Sequence, residues 1–253
     1  MEKRPLNSEA IVAPDSSLRI SLMPPAREMP DSSLAHMIDV VMDRLGAEGS
    51  AHCASVEHGI DTDRLAGTLH EAERAGAPVC LLGTSFAYVR WLYELNAAGA
   101  GFRLPAGSRL MDTGGYKGHG REVDEHSLRA LYAGLLGVPD THCVNEYGMT
   151  EMTSQFYDST LRLPGPRRKI PPPWVRTQVV DPDTLSPLRD ASSPGLLRHT
   201  DLGNLGSVVA IQTEDLGVAV DDGFHVLGRA AGAQPRGCSI AMDELLGAVR
   251  DRA

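Results

Sequence analysis

Cysteine is scarce and scattered. The four residues Cys53, Cys80, Cys143 and Cys238 include no C-x-x-C pair, which argues against a disulfide framework and against a zinc site. Buried, reduced thiols in a cytoplasmic protein are the plain expectation for the first three. Positive charge is also in short supply. Lys and Arg total 24 against 33 Asp and Glu, a net charge of -9, so the phosphate backbone of a nucleic acid is a poor partner. No stretch reaches the roughly 20 apolar residues of a membrane helix, so no membrane span is expected. The opening MEKRPLNSEA has no apolar run behind its basic residues and does not read as a secretory signal. The Walker pattern G-x-x-x-x-G-K-[ST] is missing, as are internal repeats and low-complexity segments.

What is present suits an ordinary globular protein. The 253 residues are 42% apolar and 23% charged, enough for one large domain or two small ones. Residues 1–18 show no clear period. From Arg19 onward strands and helices alternate. A short strand at Arg19–Met23 stops at Pro24-Pro25. Asp31-Ser32-Ser33 offers N-cap oxygens to a helix through Leu34, Met37, Ile38, Val41 and Leu45. A second helix spans Thr62–Arg74 and ends at Gly76. The apolar run Pro78–Leu82 reads as a buried parallel strand. Helix Phe86–Ala98, strand Ser108–Met111, helix Asp124–Leu136 and strand His142–Glu146 follow. This alternation predicts an α/β fold, a parallel sheet with flanking helices, over residues 19–163.

After Leu163 the character changes. Pro164, Pro166 and Pro171-Pro172-Pro173 break any helix. Strand-like runs at Val175–Val180, Gly195–His199, Val208–Thr213 and His225–Leu227 predict a β-rich subdomain over 164–228, a small barrel or meander. Residues 229–253 make a tail with a short C-terminal helix at Met242–Val249.

Three segments carry chemistry. The first is Asn145-Glu146-Tyr147-Gly148-Met149-Thr150-Glu151, directly after a strand. It gathers an aromatic face that can stack on a base and a glycine that admits close backbone approach. It adds a hydroxyl for a phosphate oxygen and a carboxylate for Mg²⁺, a hard cation that prefers oxygen. A polar turn at a strand end reads equally well from composition. The second is Thr213-Glu214-Asp215-Leu216-Gly217, then Asp222-Gly223-Phe224, then Gly228-Arg229. Asp-Gly marks a hairpin turn, and an Asp at one strand end with an Arg at its partner's end could grip ribose hydroxyls. A surface ion pair is the bland alternative. The third is Asp112-Thr113-Gly114-Gly115-Tyr116-Lys117-Gly118, where two glycines after a strand permit contact with a flat ligand or simply make a turn.

Taken together, in this order and spacing, the three segments resemble the adenylate-forming superfamily of acyl- and aryl-CoA synthetases, luciferases and peptide-synthetase adenylation domains. The hallmark N-x-Y-G-x-T-E is intact in Asn145–Glu151, and T-G-D-L-G appears with Glu214 in place of its first glycine. The resemblance implies ATP and Mg²⁺ as cofactors. It implies that Gly114, Gly115 and Tyr147 frame adenine, and that Asn145 contacts the base or positions the loop. It implies that Gly148 sits in the same turn, that Thr150 meets phosphate, that Glu151 holds Mg²⁺, and that Asp215 and Arg229 hold the ribose. The nucleotide cleft is expected between the α/β part and the β-rich part.

Within that superfamily the wording around the motifs is similar to the acyl-protein synthetases of the bacterial bioluminescence fatty-acid reductase. It includes Pro30–Leu34, Gly114–Lys117 with Arg121-Glu122, Ser154–Tyr157 and Gly228–Ser239. The family implies activation of a fatty acid as acyl-adenylate and transfer to a cysteine near its own C-terminus. Cys238 matches that acceptor, with Arg236 two residues away to favour the thiolate. A packing role for Cys238 is the alternative. An acyl-reductase or acyltransferase partner is implied for handover. The superfamily's Ser/Thr/Gly-rich phosphate loop has no counterpart upstream of Asn145. Gly83-Thr84-Ser85 is the nearest match, but it is short and falls where the family places its acyl-pocket helix. The expectation is a chain that starts after that loop, with Lys117 and Arg121 as the nearest substitute cations. The C-terminal lid with its lysine is absent too, as in acyl-protein synthetases. Two other readings remain: a CoA ligase of the phenylacetate type, and a non-catalytic remnant or subunit whose partner chain supplies the loop.

Overall fold

A computed structural model describes residues 17–114, 123–190 and 193–233. It divides the chain into two compact units at Asn145/Glu146, inside a strand and ahead of the proline-rich stretch that begins at Pro164.

The first unit is α/β. Its sheet strands are β1 (Leu18–Ser21), β2 (Ala51–His52), β5 (Val79–Thr84), β6 (Arg109–Thr113) and the start of β7 (Cys143–Tyr147), in the spatial order β2-β1-β5-β6-β7. β1 runs parallel to β2 and β5, and β5 parallel to β6. All six residues of β5 are buried, as an apolar strand covered on both faces should be. β3 (Ala54–Ser55) and β4 (Gly59–Ile60) make a separate antiparallel pair.

Each helix begins where a side-chain oxygen can cap it. Ser32 accepts from Ala35 N at the start of α1 (Ser33–Leu45), and Asp61 from Arg64 N at the start of α2 (Thr62–Ala75). Thr84 caps α3 (Ser85–Ala97) through Ala87 N. Asp124 caps α4 (Glu125–Leu131) through Ser127 N. α2 buries Leu65, Leu69 and Ala72, spaced to share one face, and each leucine contributes about 1.5–3 kcal/mol of apolar burial. It stops at Gly76, whose left-handed φ of 64° suits glycine.

One helix departs from expectation. The sequence predicts a regular helix over 124–136, but from Tyr132 to Leu136 the chain widens into a π-helix. The extra residue in that turn accompanies a bond from the Tyr132 hydroxyl to Asp112 Oδ2 at 2.7 Å.

The second unit is antiparallel. β8 (Phe156–Asp158) pairs with the end of β7, then come β9 (Lys169–Ile170), β13 (Gly223–Arg229), β12 (Ala210–Val220), β11 (Gly195–Asp201) and β10 (Val175–Val180) in spatial order. β10 to β13 form the expected meander. β12 corrects the sequence reading of 208–213. It continues through the T-E-D-L-G segment to Val220, so Asp215 sits mid-strand rather than at a strand end. β8 and β9 were not foreseen. The core consists of Met152, Phe156, Val175, Val179, Leu197 and Phe224, with Tyr147, Met149, Leu188, Ile211, Ala219 and Val226 packed against it. Phe156 and Phe224 meet edge to face at 5.1 Å and 82°.

Among the described residues no helix is long and apolar enough to cross a membrane. The tail, including the expected C-terminal helix, lies outside the described residues.

Candidate functional site

In the α/β unit, β6 delivers Asp112 to its carboxyl end, where it is 1% exposed. Asp112 Oδ1 accepts from Asn145 Nδ2 at 2.6 Å, while Oδ2 takes the Tyr132 hydroxyl. A buried carboxylate needs such donors. The side-chain amide of Asn145 is thereby engaged with β6 rather than projecting alone. Gly114 follows with φ 91°, a conformation that L side chains rarely adopt, and its carbonyl accepts from Ser85 Oγ at 3.4 Å. Gly115, Lys117 and Arg121 lie outside the described residues.

In the antiparallel unit, three segments distant in sequence converge. β12 and β13 pair with Asp215 opposite Arg229. Arg229 Nη1 stands 3.6 Å from Asp215 Oδ1, and Nη2 donates to Glu214 Oε2 at 2.8 Å. Tyr147, carried at the end of β7, donates its hydroxyl to Asp215 Oδ2 at 2.8 Å. Burial, and then the Asp215 charge, push the Tyr147 phenol well above its usual range, so it stays protonated and remains a donor. Its ring lies 5.7 Å from Phe156 and 6.0 Å from Phe224, which holds the plane of the phenol against the core. Arg229 Nε is buried and has no hydrogen-bond partner among the described residues, an unused donor beside a carboxylate.

The hallmark turn leaves β7 at once. A Cβ on Gly148 would collide with Glu146 Oε1, and Glu146 is 6% exposed, so the turn passes close over a buried carboxylate that would have to shift to admit a side chain. Beyond it the side chains of Thr150 and Glu151 are exposed. Among the described residues no cluster of three or more His, Cys, Asp or Glu could hold a metal. Glu151 offers one exposed carboxylate, an oxygen donor of the kind Mg²⁺ takes together with phosphate oxygens.

Cys238 lies outside the described residues. Cys53, Cys80 and Cys143 are buried, and burial pushes the thiols of Cys53 and Cys80 up to about 11, which makes them inert. A cavity of about 540 Å³ in the α/β unit is lined by residues such as Glu28, Asp39, His52 and Arg64 and touches none of the hallmark positions. Two of its carboxylates are engaged: Asp39 Oδ2 accepts from Ala26 N at 2.9 Å, and Glu28 Oε2 from Val56 N at 3.0 Å.

Sequence reasoning missed Tyr132, Asp201 and Asn204, and it quoted Asp112 without giving it a role. An acid at the end of a buried strand was a usable signal for Asp112. Nothing local marks the link of the other three to this site, because the bonds that make it, to Asp112, Ser154 and Glu151, span 20, 47 and 53 residues.

Comparison with known proteins gives the family and the fold. A family model described as "Acyl-protein synthetase, LuxE" matches residues 51–247. The long-chain-fatty-acid–luciferin-component ligase of Vibrio harveyi is 21% identical over 204 residues, covering 77% of this chain and 52% of the relative. Its counterpart in Aliivibrio fischeri is 22% identical over 161 residues, covering 63% of this chain and 41% of the relative. The chain thus spans about half, or less, of these curated relatives. The crystal structure of ATP-bound MatB from Rhodopseudomonas palustris aligns with 85% of this chain and 40% of its own length, at a TM-score of 0.57 and 17% identity, a likeness of fold. Because the family model covers well over half of its residues, the chain belongs to the acyl-protein synthetase (LuxE) family.

Proposed function

We propose that the chain serves ATP-dependent activation of a carboxylic acid, of the fatty-acid class, as its acyl-adenylate, with transfer of the acyl group to the thiol of Cys238. The observation that carries this is the convergence of Tyr147, Asp215 and Arg229, brought from three strands into one hydrogen-bonded group. An aspartate and an arginine beside a rigid aromatic ring suit a nucleoside: carboxylate and guanidinium for the ribose hydroxyls, the ring for the base.

In this reading Tyr147 meets the adenine, a role that the family resemblance implies for Gly114 and Gly115 as well. Asn145, bound to Asp112, positions the strand end instead of meeting the base. Thr150 donates to a phosphate oxygen, and Glu151 faces the cation. Mg²⁺, when bound, offsets the charge of the phosphates. The acid's carboxylate oxygen attacks the α-phosphorus, the new P–O bond forms, and pyrophosphate leaves. The Cys238 thiolate then attacks the acyl carbon, the thioester forms, and AMP leaves with the mixed-anhydride oxygen. An acyl-reductase or acyltransferase is the chemical class that would accept the thioester. The relatives named as fatty-acid ligases support the substrate class.

The test is ATP–pyrophosphate exchange with a fatty-acid panel, followed by labelled acid and denaturation. Wild type is expected to keep a hydroxylamine-labile label that Cys238→Ser loses while exchange continues. Label persisting in the serine variant would move the acceptor elsewhere. Label appearing on CoA instead of protein would favour the phenylacetate-type ligase.

A further inference from the structure

Asp201, the last residue of β11, is 1% exposed. Its Oδ1 accepts from Ser154 Oγ at 3.0 Å and Gly203 N at 2.9 Å. Its Oδ2 accepts from Ser154 N at 3.0 Å and Thr153 Oγ1 at 3.3 Å. Trp174 Nε1 adds a bond to Ser154 Oγ at 2.9 Å. Asn204, 5% exposed, uses its amide on two carbonyls: Glu151 O at 2.7 Å and Val208 O at 2.8 Å. A Cβ on Gly203 would stand 3.1 Å from Asp201 Oδ1 and 3.2 Å from Thr153 Oγ1, so the loop lies tight against the turn.

The effect falls on the residues after the hallmark motif. Glu151 is held by its carbonyl. Met152 is held by its burial in the core and by its N–H to Met149 O at 3.1 Å. Thr153 is held by its hydroxyl, and Ser154 by both N–H and hydroxyl. The side chains of Thr150 and Glu151 stay exposed at the edge of this clamped backbone. Burying a carboxylate is costly even when it is fully bonded, and a well-packed apolar residue would close a loop at less expense. What the buried charge supplies here is direction. An exposed ligand on a free loop loses conformational entropy when it binds, and one on a clamped backbone has lost it beforehand.

We infer that Asp201 and Asn204 are positioning residues that clamp the backbone of residues 151–154 and so set the aim of Glu151 and Thr150 at the cation and phosphates of a bound nucleotide. This rests on the nucleotide reading of the turn given above.

The experiment measures ATP binding to the whole 253-residue chain by calorimetry, across a Mg²⁺ titration and in EDTA. AMP binding and thermal melting are recorded alongside. The variants are Asn204→Ala, Asn204→Asp (which keeps the shape and replaces the amide donors), Asp201→Asn, and Leu205→Ala as a control at a position 82% exposed on the same loop. The Asn204 and Asp201 variants are expected to need about 10-fold more Mg²⁺ for the same gain in ATP affinity, the usual size of a lost supporting contact behind a metal ligand. Their AMP affinity stays within about 2-fold of wild type, since the nucleoside contacts are elsewhere. Leu205→Ala changes neither. A wild-type Mg²⁺ response in folded Asn204→Ala and Asn204→Asp overturns this inference alone. Proportional loss of AMP and ATP binding, or loss of the melting transition in all three variants, assigns the clamp to folding and also overturns it. If wild type itself shows no Mg²⁺-dependent ATP binding, the nucleotide reading falls and this inference with it.

Discussion

Tyr147 shows how much one residue can carry. Its ring belongs to the core of the antiparallel unit, and its hydroxyl belongs to Asp215 at 2.8 Å. Tyr147→Phe keeps the packing and removes the donor. A hydrogen bond to a charged group is worth about 1.5–3 kcal/mol when well buried, and Asp215 keeps 15% of its side chain exposed, so about 1 kcal/mol is expected. Melting temperature should fall by roughly 2–4 °C, and AMP affinity should also fall by calorimetry, because Asp215 is no longer held in place for the ribose. An unchanged affinity would detach Tyr147 from the nucleoside. Glu151 is the opposite case, an exposed side chain whose importance is its charge. Glu151→Gln should weaken ATP binding about 10-fold in Mg²⁺ and barely affect AMP binding in EDTA, because a neutral amide is a poor ligand for a hard cation. Equal losses in both conditions would take Glu151 out of the metal site.

At the scale of elements, β8 and β9 are the instructive pair. Their strands have three and two residues, bordered by Pro164, Pro166 and Pro171, so no period could register in the sequence. The pairing is held instead by charge. Asp158 lies opposite Lys169 in register, with Nζ to Oδ1 at 3.0 Å, and Arg167 reaches the other oxygen at 2.6 Å. Both paired side chains are nearly sealed from water, Asp158 at 3% and Lys169 at 8% exposure. Asp158→Ala leaves a buried ammonium without its carboxylate and should cost about 3 kcal/mol in denaturant unfolding. A loss under 1 kcal/mol would show that the strands pair without the ion pair. The helices contrast with this. Ser32, Asp61, Thr84 and Asp124 all bond within three residues of themselves, so α1, α2 and α4 begin within a residue of where the sequence predicts, as does α3.

At the scale of the whole molecule, one buried histidine ties stability to pH. His199 is fully buried among Phe156, Phe224 and Tyr147, with Nδ1 at 3.0 Å from Thr177 Oγ1 and Nε2 without a partner among the described residues. Burial lowers its pKa from 6.5 to about 4, partly opposed by Asp201. The folded form therefore stays neutral where the unfolded form takes a proton. Its contribution is full above pH 6.5 and is lost progressively as pH falls toward 4, up to about 3 kcal/mol. Urea unfolding at pH 7.5 and pH 5 should show that decline, and His199→Phe should flatten it. A variant that declines as steeply as wild type would assign the acid sensitivity to carboxylates.

By itself, the sequence determined what depends on neighbours along the chain. Caps, the left-handed stop at Gly76, the apolar run of β5 and the order of the three motifs are all local, and they sufficed for the fold class and the family. The hairpin that sets Asp215 against Arg229 was legible for the same reason, since Asp222-Gly223 marks its turn. Only tertiary structure decided which oxygens and nitrogens are already engaged. It bound Asn145 to Asp112 across 33 residues, bent α4 into a π-helix beside the same carboxylate, and set Asp201 and Asn204 behind the hallmark turn. Such contacts leave no periodic trace, because a hydrogen bond is fixed by distance and angle in space while sequence patterns report only which faces are apolar.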